Sequence, residues 1–529
     1  MSKSIDIYDT TLRDGAQMHG ISFSVDDKIK IAQLLDELGV AYIEGGWPGA
    51  NPKDIAFFER ASQIRWHNAK LAAFGSTRRV DSASCEEDPI LQALIKAETP
   101  VITIVGKAWH RQVETALRTT LTHNLDLISE SILHLKSKSK EVIFDAEHFF
   151  DGYKENADYA LEVAQTVMDS GADALVLCDT NGGTLPHEIS EIVQALLIKF
   201  PKASLGIHCH NDGGVAVANS LAAVLAGTSQ IQGTINGYGE RCGNADLVTL
   251  IASLELKLGY KALADSSNLN RLTEISHLIS EIANFNPTQQ QPYVGRLAFM
   301  HKGGLHASAL QRDKSTYEHI DPELVGNKSR VIVSEQSGIS NVLDFARTRG
   351  LGELTKEQAR EILVEIKDRE HDGYQYEQAS ASLFLLCLKH LGRQPKFFEV
   401  IDFRVVAAEG QLAEATVQLR VGDHLMHTAS LGVGPGHALD NALRKALTPY
   451  YEALPSFKLS DFKVRVVDSH DGTAAKTRVN VETSAHGNTW NTVGVHENIL
   501  QATFIAISES IEYGLYASAT ATKHQLTIN

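Results

Sequence analysis

Ile5-Asp6-Ile7-Tyr8-Asp9, followed after a polar stretch by Ser24-Val25-Asp26-Asp27-Lys28-Ile29-Lys30-Ile31-Ala32-Gln33-Leu34-Leu35-Asp36-Glu37-Leu38-Gly39, reads as one strand and one helix. The first run is short and rich in β-branched residues. The second puts Ile29, Ala32, Leu35 and Leu38 on one helical face, with Ser24 as N-cap, Asp27 at the capping-box position and Gly39 as the stop. Working outward, the same alternation predicts strands at 41–45, 71–75, 101–105, 142–146, 174–179, 205–210 and 231–235, each followed by a stretch of helical period. Eight strands alternating with helices over about 250 residues predict an α/β fold, a (β/α)8 TIM barrel, over residues 1–266. A doubly wound sheet is disfavoured, because no GxGxxG turn follows the first strand.

The pattern then changes. Residues 267–395 are mostly helical, with a turn-rich connector at Asn286-Pro287-Thr288-Gln289-Gln290-Gln291-Pro292, and predict a hinge and helical subdomain. Residues 396–529 contain an internal repeat. Asp402-Phe403-Arg404-Val405-Val406 opens one copy and Asp461-Phe462-Lys463-Val464-Arg465 the other, each running through alternating strands into a helix, at 438–447 and 498–513. This predicts a C-terminal α/β domain with a pseudo-twofold repeat, serving regulation or dimerisation.

Composition excludes several classes of function. An apolar fraction of 43% with 22% charged residues provides for a large core and excludes a disordered or fibrous chain. Forty-nine Lys and Arg against 65 Asp and Glu give −16, and no basic block interrupts the acidity, so neither nucleic acid nor an anionic membrane is an expected partner. The opening residues lack an apolar signal core, and no stretch approaches the roughly 18 apolar residues of a membrane helix, so a soluble cytoplasmic protein is expected. The five cysteines are scattered and never spaced CxxC, which implies a reducing compartment without a disulfide framework or zinc ribbon.

Three polar segments follow strands that neighbour one another in a closed barrel: Asp9-Thr10-Thr11-Leu12-Arg13-Asp14-Gly15-Ala16-Gln17, His208-Cys209-His210-Asn211-Asp212, and Asn236-Gly237-Tyr238-Gly239-Glu240-Arg241-Cys242-Gly243-Asn244. His208 and His210 are two apart, so both project from one face of a strand. An isolated HxH is more often structural. With Asp14 and Asn244 arriving from adjacent strand ends, the set becomes two imidazoles, a carboxylate and an amide oxygen, donors for Mg²⁺, Mn²⁺, Co²⁺ or Zn²⁺ acting as a Lewis acid. Arg13 is either an ordinary ion pair or, next to a metal, a stabiliser of a developing alkoxide or enolate. Glu147 and Thr180 sit just past strands five and six, as site groups or as helix caps. Glu240 and Arg241 brace their loop, and Cys242 reads as packing.

These segments resemble the signatures of the 2-isopropylmalate, homocitrate and citramalate synthases, in the DRE-type metal-dependent barrel superfamily. The resemblance extends through His301-Lys302-Gly303-Gly304-Leu305-His306 and the C-terminal repeat. Glu44-Gly45-Gly46-Trp47-Pro48-Gly49-Ala50-Asn51-Pro52-Lys53-Asp54 and Asp372-Gly373-Tyr374 look most like the citramalate branch. The resemblance implies a Claisen-type condensation of acetyl-CoA with pyruvate, then thioester hydrolysis to (R)-citramalate, in isoleucine biosynthesis. It implies Asp14, His208, His210 and Asn244 as metal ligands, and Arg13, Thr180 and Glu44 as substrate-binding groups. Arg13, Glu147, His306 and Tyr317 would be catalytic, the last two entering from the helical subdomain. It further implies a homodimer with isoleucine as a candidate effector. One departure stands out: relatives read histidine-alanine-aspartate or histidine-glutamine-aspartate where this chain has His306-Ala307-Ser308. An acid that would orient His306 is missing there.

Overall fold

Eight parallel strands, β1 (Asp6–Asp9), β2 (Tyr42–Gly46), β3 (Lys70–Ser76), β4 (Val101–Lys107), β5 (Glu141–Glu147), β6 (Ala174–Asp179), β7 (Leu205–Cys209) and β8 (Gln230–Gly233), pair in chain order. The barrel closes where β8 pairs with β1, in the register Asp6–Gln230 through Asp9–Gly233. All eight lie where the alternation of the sequence places them, to within two residues at either end. The computed structural model describes residues 3–334, 336–467, 472 and 474–526, and the side chains of 304, 307, 311, 331 and 521–526 fall outside that description.

Both faces of each barrel strand are covered, which is why the strands read as apolar runs. Outward-facing Ile7, Ile43, Ile102, Ile104, Phe144, Leu177, Ile207 and Ile231 pack under the helices. Inward-facing Tyr8, Tyr42, Ala72, Val101, Ile143, Ala174 and Val176 fill the barrel interior. Each fully buried aliphatic or aromatic side chain contributes roughly 1.5–3 kcal/mol relative to exposure. The first helix, Val25–Leu38, starts as its sequence predicts: the Asp27 amide donates to Ser24 Oγ (3.2 Å), the Ser24 amide to the Asp27 carboxylate (2.9 Å), and Gly39 ends it at φ 95°.

The chain forms two compact units, residues 1–299 with 320–329, and residues 300–319 with 330–529. The division therefore runs inside 267–395, with the helix Leu272–Ile282 in the barrel unit. In the second unit, β9 (Met300–His301) pairs with β10 (Arg330–Val331), and three helices, Ile339–Thr348, Lys356–His371 and Ser380–His390, follow. The repeat comes next. β11 (Glu399–Val406), β12 (Ala413–Val421) and β13 (His424–Gly432) form one antiparallel sheet, β14 (Lys458–Val466), β15 (Thr477–Ala485) and β16 (Asn488–His496) the other. Both first strands break register at the same place, Val400/Asp402 and Leu459/Asp461. Each sheet leads into a helix, Pro435–Leu447 and Ile499–Leu526, longer than the predicted 438–447 and 498–513. Among the described residues no helix is long and apolar enough to cross a membrane.

Candidate active site

The turn after β1 is wound tightly, with the amides of Arg13, Asp14 and Gly15 all donating to the Thr10 carbonyl. This carries Asp14 over the barrel mouth, where its Oδ2 lies 3.2 Å from His208 Nε2, 4.0 Å from His210 Nε2 and 3.3 Å from Arg13 Nη1. One ligand atom each from Asp14, His208 and His210 lies within 4.8 Å of the others, and all three residues are buried. Asn244 is brought in by backbone pairing: Asn211 donates to the Gly243 carbonyl (2.9 Å), Ala245 to the Cys209 carbonyl (3.0 Å), and His210 bridges Asn244. The fold-back demands glycine. A Cβ on Gly239, at φ 157°, would lie 2.2 Å from Asn244 Nδ2.

The donor set fits a divalent cation. Asn244 commits its Nδ2 to the Tyr238 carbonyl (3.1 Å), while its buried Oδ1 has no partner among the described residues. His208 Nδ1 meets Gln232 Oε1 at 2.9 Å, and Gln232 Nε2 donates to Asp145 Oδ1 at 2.9 Å. With this amide orientation Nδ1 of His208 carries a proton, so Nε2, which meets Asp14 Oδ2 at 3.2 Å, is the nitrogen that would ligate a bound cation. Three buried ligand atoms converge, and the amide oxygen of Asn244, whose backbone bridges His210, is left orphaned among the described residues.

Arg13 is held on two sides, and one of its partners is itself braced. Its Nε donates to Glu44 Oε1 (2.5 Å), its guanidinium carbon lies 3.9 Å from the centre of the Phe74 ring, and Tyr8 Oη donates to the other Glu44 oxygen (2.9 Å). Burial works against the Asp14 charge, but Arg13 and the His208 contact outweigh it and hold the carboxyl well below its usual range. His208 is likewise disfavoured as a cation by burial, yet Asp14 raises it overall; His210, buried beside His208, is pushed down to about 4. Burial, then the Glu44 charge, raise Asp145 to about 7.

Arg13, Asp14, Glu44, His208, His210 and Asn244 thus form one cluster. Glu44 is fully buried with one oxygen on Tyr8 and the other on Arg13. Glu147 and Thr180 share another part of the rim. Glu147 ends β5 and ion-pairs with Lys107 of β4; Thr180 Oγ1 accepts from the amide of His148 (2.8 Å). His306 and Tyr317 belong to the second unit, where their rings stack at 4.1 Å. Arg241 braces its loop through Asp212 (2.7 Å) and the Thr180 carbonyl (2.7 Å). Cys242 is exposed, so the packing role read from sequence is incorrect. Sequence reasoning passed over Tyr8, Phe74, Asp145 and Gln232. Their signal is parity: each is an inward position on a barrel strand, where the polar side chains of Tyr8, Asp145 and Gln232 are out of place unless they serve the site.

Residues 4–279 match the HMGL-like family, 293–373 the homocitrate synthase post-HMGL domain-like family, and 377–515 the LeuA allosteric (dimerisation) domain. An (R)-citramalate synthase of Aquifex aeolicus is 51% identical over 521 residues, covering 97% of this chain and 98% of that protein. The chain belongs to the (R)-citramalate synthase family. The family's Synechocystis member is 51% identical over 97% of this chain and 96% of its own length. A 2-isopropylmalate synthase of Methanocaldococcus jannaschii, over 96% of this chain and 93% of its own, is only 30% identical.

Proposed function

We propose that this enzyme condenses acetyl-CoA with pyruvate and hydrolyses the resulting thioester to (R)-citramalate and CoA. The observation that carries the proposal is the convergence of Asp14, His208 and His210 beside Arg13, with the orphaned Asn244 Oδ1 on the residue bridged to His210. These four residues would hold a divalent ion, which when bound polarises a ketone and fixes its carboxylate. His306, next to Tyr317, takes a proton from the acetyl methyl group, and the resulting enolate carbon attacks the keto carbon of pyruvate. Arg13, clamped by Glu44 and Phe74, neutralises the charge arriving on the ketone oxygen; its rigidity means little reorganisation accompanies the step. Thr180 Oγ1 accepts from His148, which leaves its proton free to donate to the pyruvate carboxylate. Glu147, held by Lys107, stands near the acetyl group. Water then cleaves the thioester and the thiol of CoA departs.

The enzyme is proposed to work in the cytoplasm as a homodimer joined through the LeuA-like segment, with isoleucine as effector of that segment. Mg²⁺, Mn²⁺, Co²⁺ and Zn²⁺ all suit the donors. The test is a keto-acid panel of pyruvate, 2-oxoisovalerate and 2-oxoglutarate, read by release of free thiol from acetyl-CoA. Pyruvate is expected to lead by at least tenfold in kcat/KM; a preference for a bulkier acid overturns the substrate assignment. Calorimetry with isoleucine and leucine tests the effector, and no heat with either removes it.

A further inference from the structure

The second unit contains a buried acid that the reaction just described leaves unused. Glu318 follows Tyr317 and is only 6% exposed, yet neither of its carboxylate oxygens has a hydrogen-bond partner among the described residues. Facing it at 3.9 Å is Nε2 of His301, which also has none. The His301 ring stands edge-on to both His306 (centroids 6.2 Å apart, 70°) and Tyr317 (6.4 Å, 71°), while His306 and Tyr317 stack on each other. Three rings therefore form one group, open to solvent at His306 and backed by a carboxylate at the other end.

A buried carboxylate without donors costs stability, and chains keep one where it serves another purpose. Here the purpose lies in the ring group beside it: Ser308, two residues after His306, offers no carboxylate, and Glu318 is the acid that faces the group. Burial lowers the proton affinity of His301, and Glu318 opposes that shift. The backbone of His301 is itself anchored, its carbonyl accepting from the Ile332 amide (3.1 Å) next to the β9–β10 pair. A negative charge behind an anchored imidazole fixes which nitrogen holds the proton and sets the field felt by the ring beyond it.

We propose that Glu318, acting through His301, is the positioning acid for the His306–Tyr317 pair. Glu318 touches no substrate; it orders the group that does. The inference rests on the role proposed for His306.

Glu318→Gln keeps shape and removes charge. Expected are a fall in kcat of at least ~10-fold with KM for pyruvate unchanged, and recovery of part of that loss in Glu318→Asp. Thermal unfolding separates this from a merely structural role. Because the carboxylate is unpaired, Glu318→Gln should melt at the same temperature as the native enzyme or higher, whereas a structural acid would lower Tm when replaced. Native-like kcat in a folded Glu318→Gln enzyme overturns the inference alone. A His306→Ala enzyme with native kcat overturns the role of His306 and this inference with it.

Discussion

Ile7 and Tyr8 of β1 are completely buried, whereas Phe462, Val464 and Val466 of β14 are 41%, 45% and 53% exposed, although each strand is the first of its sheet in chain order. The difference is closure. β1 finds β8 waiting at its free edge, so its hydrogen bonds and both its faces are used inside one chain. β14 pairs only with β15, and the sheet stays open. The first copy of the repeat sharpens the contrast. Phe403, the counterpart of Phe462, stacks on Phe504 at 4.5 Å, against the long helix of the second copy. The barrel places polar groups inside and uses them for chemistry; the repeat leaves apolar groups outside, as a subunit surface would.

Breaking the barrel's side of this comparison should have the largest effect. Asp14→Ala is expected to lower kcat by on the order of 10³-fold or more, equivalent to about 4 kcal/mol, with the far-UV circular dichroism unchanged. Native thiol release from that variant would remove the metal-site reading.

The next effect concerns buried acids, which both units contain. In the barrel, burial raises Asp9 to about 7; in the second unit it raises Glu509, which accepts from Ser382, from 4.5 to about 7. A carboxyl raised on folding binds its proton more tightly in the native state, so its contribution is fully present below the unfolded value and is lost as pH rises through about 7. Denaturant titration should find Glu509→Gln flattening the loss of stability between pH 5 and pH 8 by up to roughly 3 kcal/mol. An unchanged slope would mean Glu509 is ionised in the native enzyme.

On the repeat's side, Phe462→Asp should weaken self-association by about 2 kcal/mol, or roughly 30-fold in Kd, seen as a shift toward monomer by light scattering at micromolar concentration. Association at native strength would place the interface elsewhere. The smallest effect tests a local signal: Ser24→Ala should destabilise the barrel by about 1 kcal/mol through loss of the helix cap, with kcat/KM unchanged.

Most of the fold was legible in the order of the residues. Period and punctuation are local properties, so the eight strands, the cap at Ser24 and the repeated Asp-Phe segment could each be read from a few neighbours. The pairing of the two imidazoles was legible for the same reason, because His208 and His210 share a strand face by parity alone. The exposure of Cys242 was not, since nothing in a glycine-rich turn says which side meets solvent.

By itself, then, the sequence determined the strand count, the helix ends and the types of donor available for a metal. Only the closed barrel decided which of them meet. It joined Arg13 to Glu44, 31 residues away, and Gln232 to Asp145, 87 away, because inward positions on different strands converge only once the sheet has curved onto itself. In the second unit, tertiary structure likewise set the buried acid Glu318 beside His301. Local preferences act over a turn or a strand, whereas a polar site depends on long-range closure, which no short stretch of chain encodes.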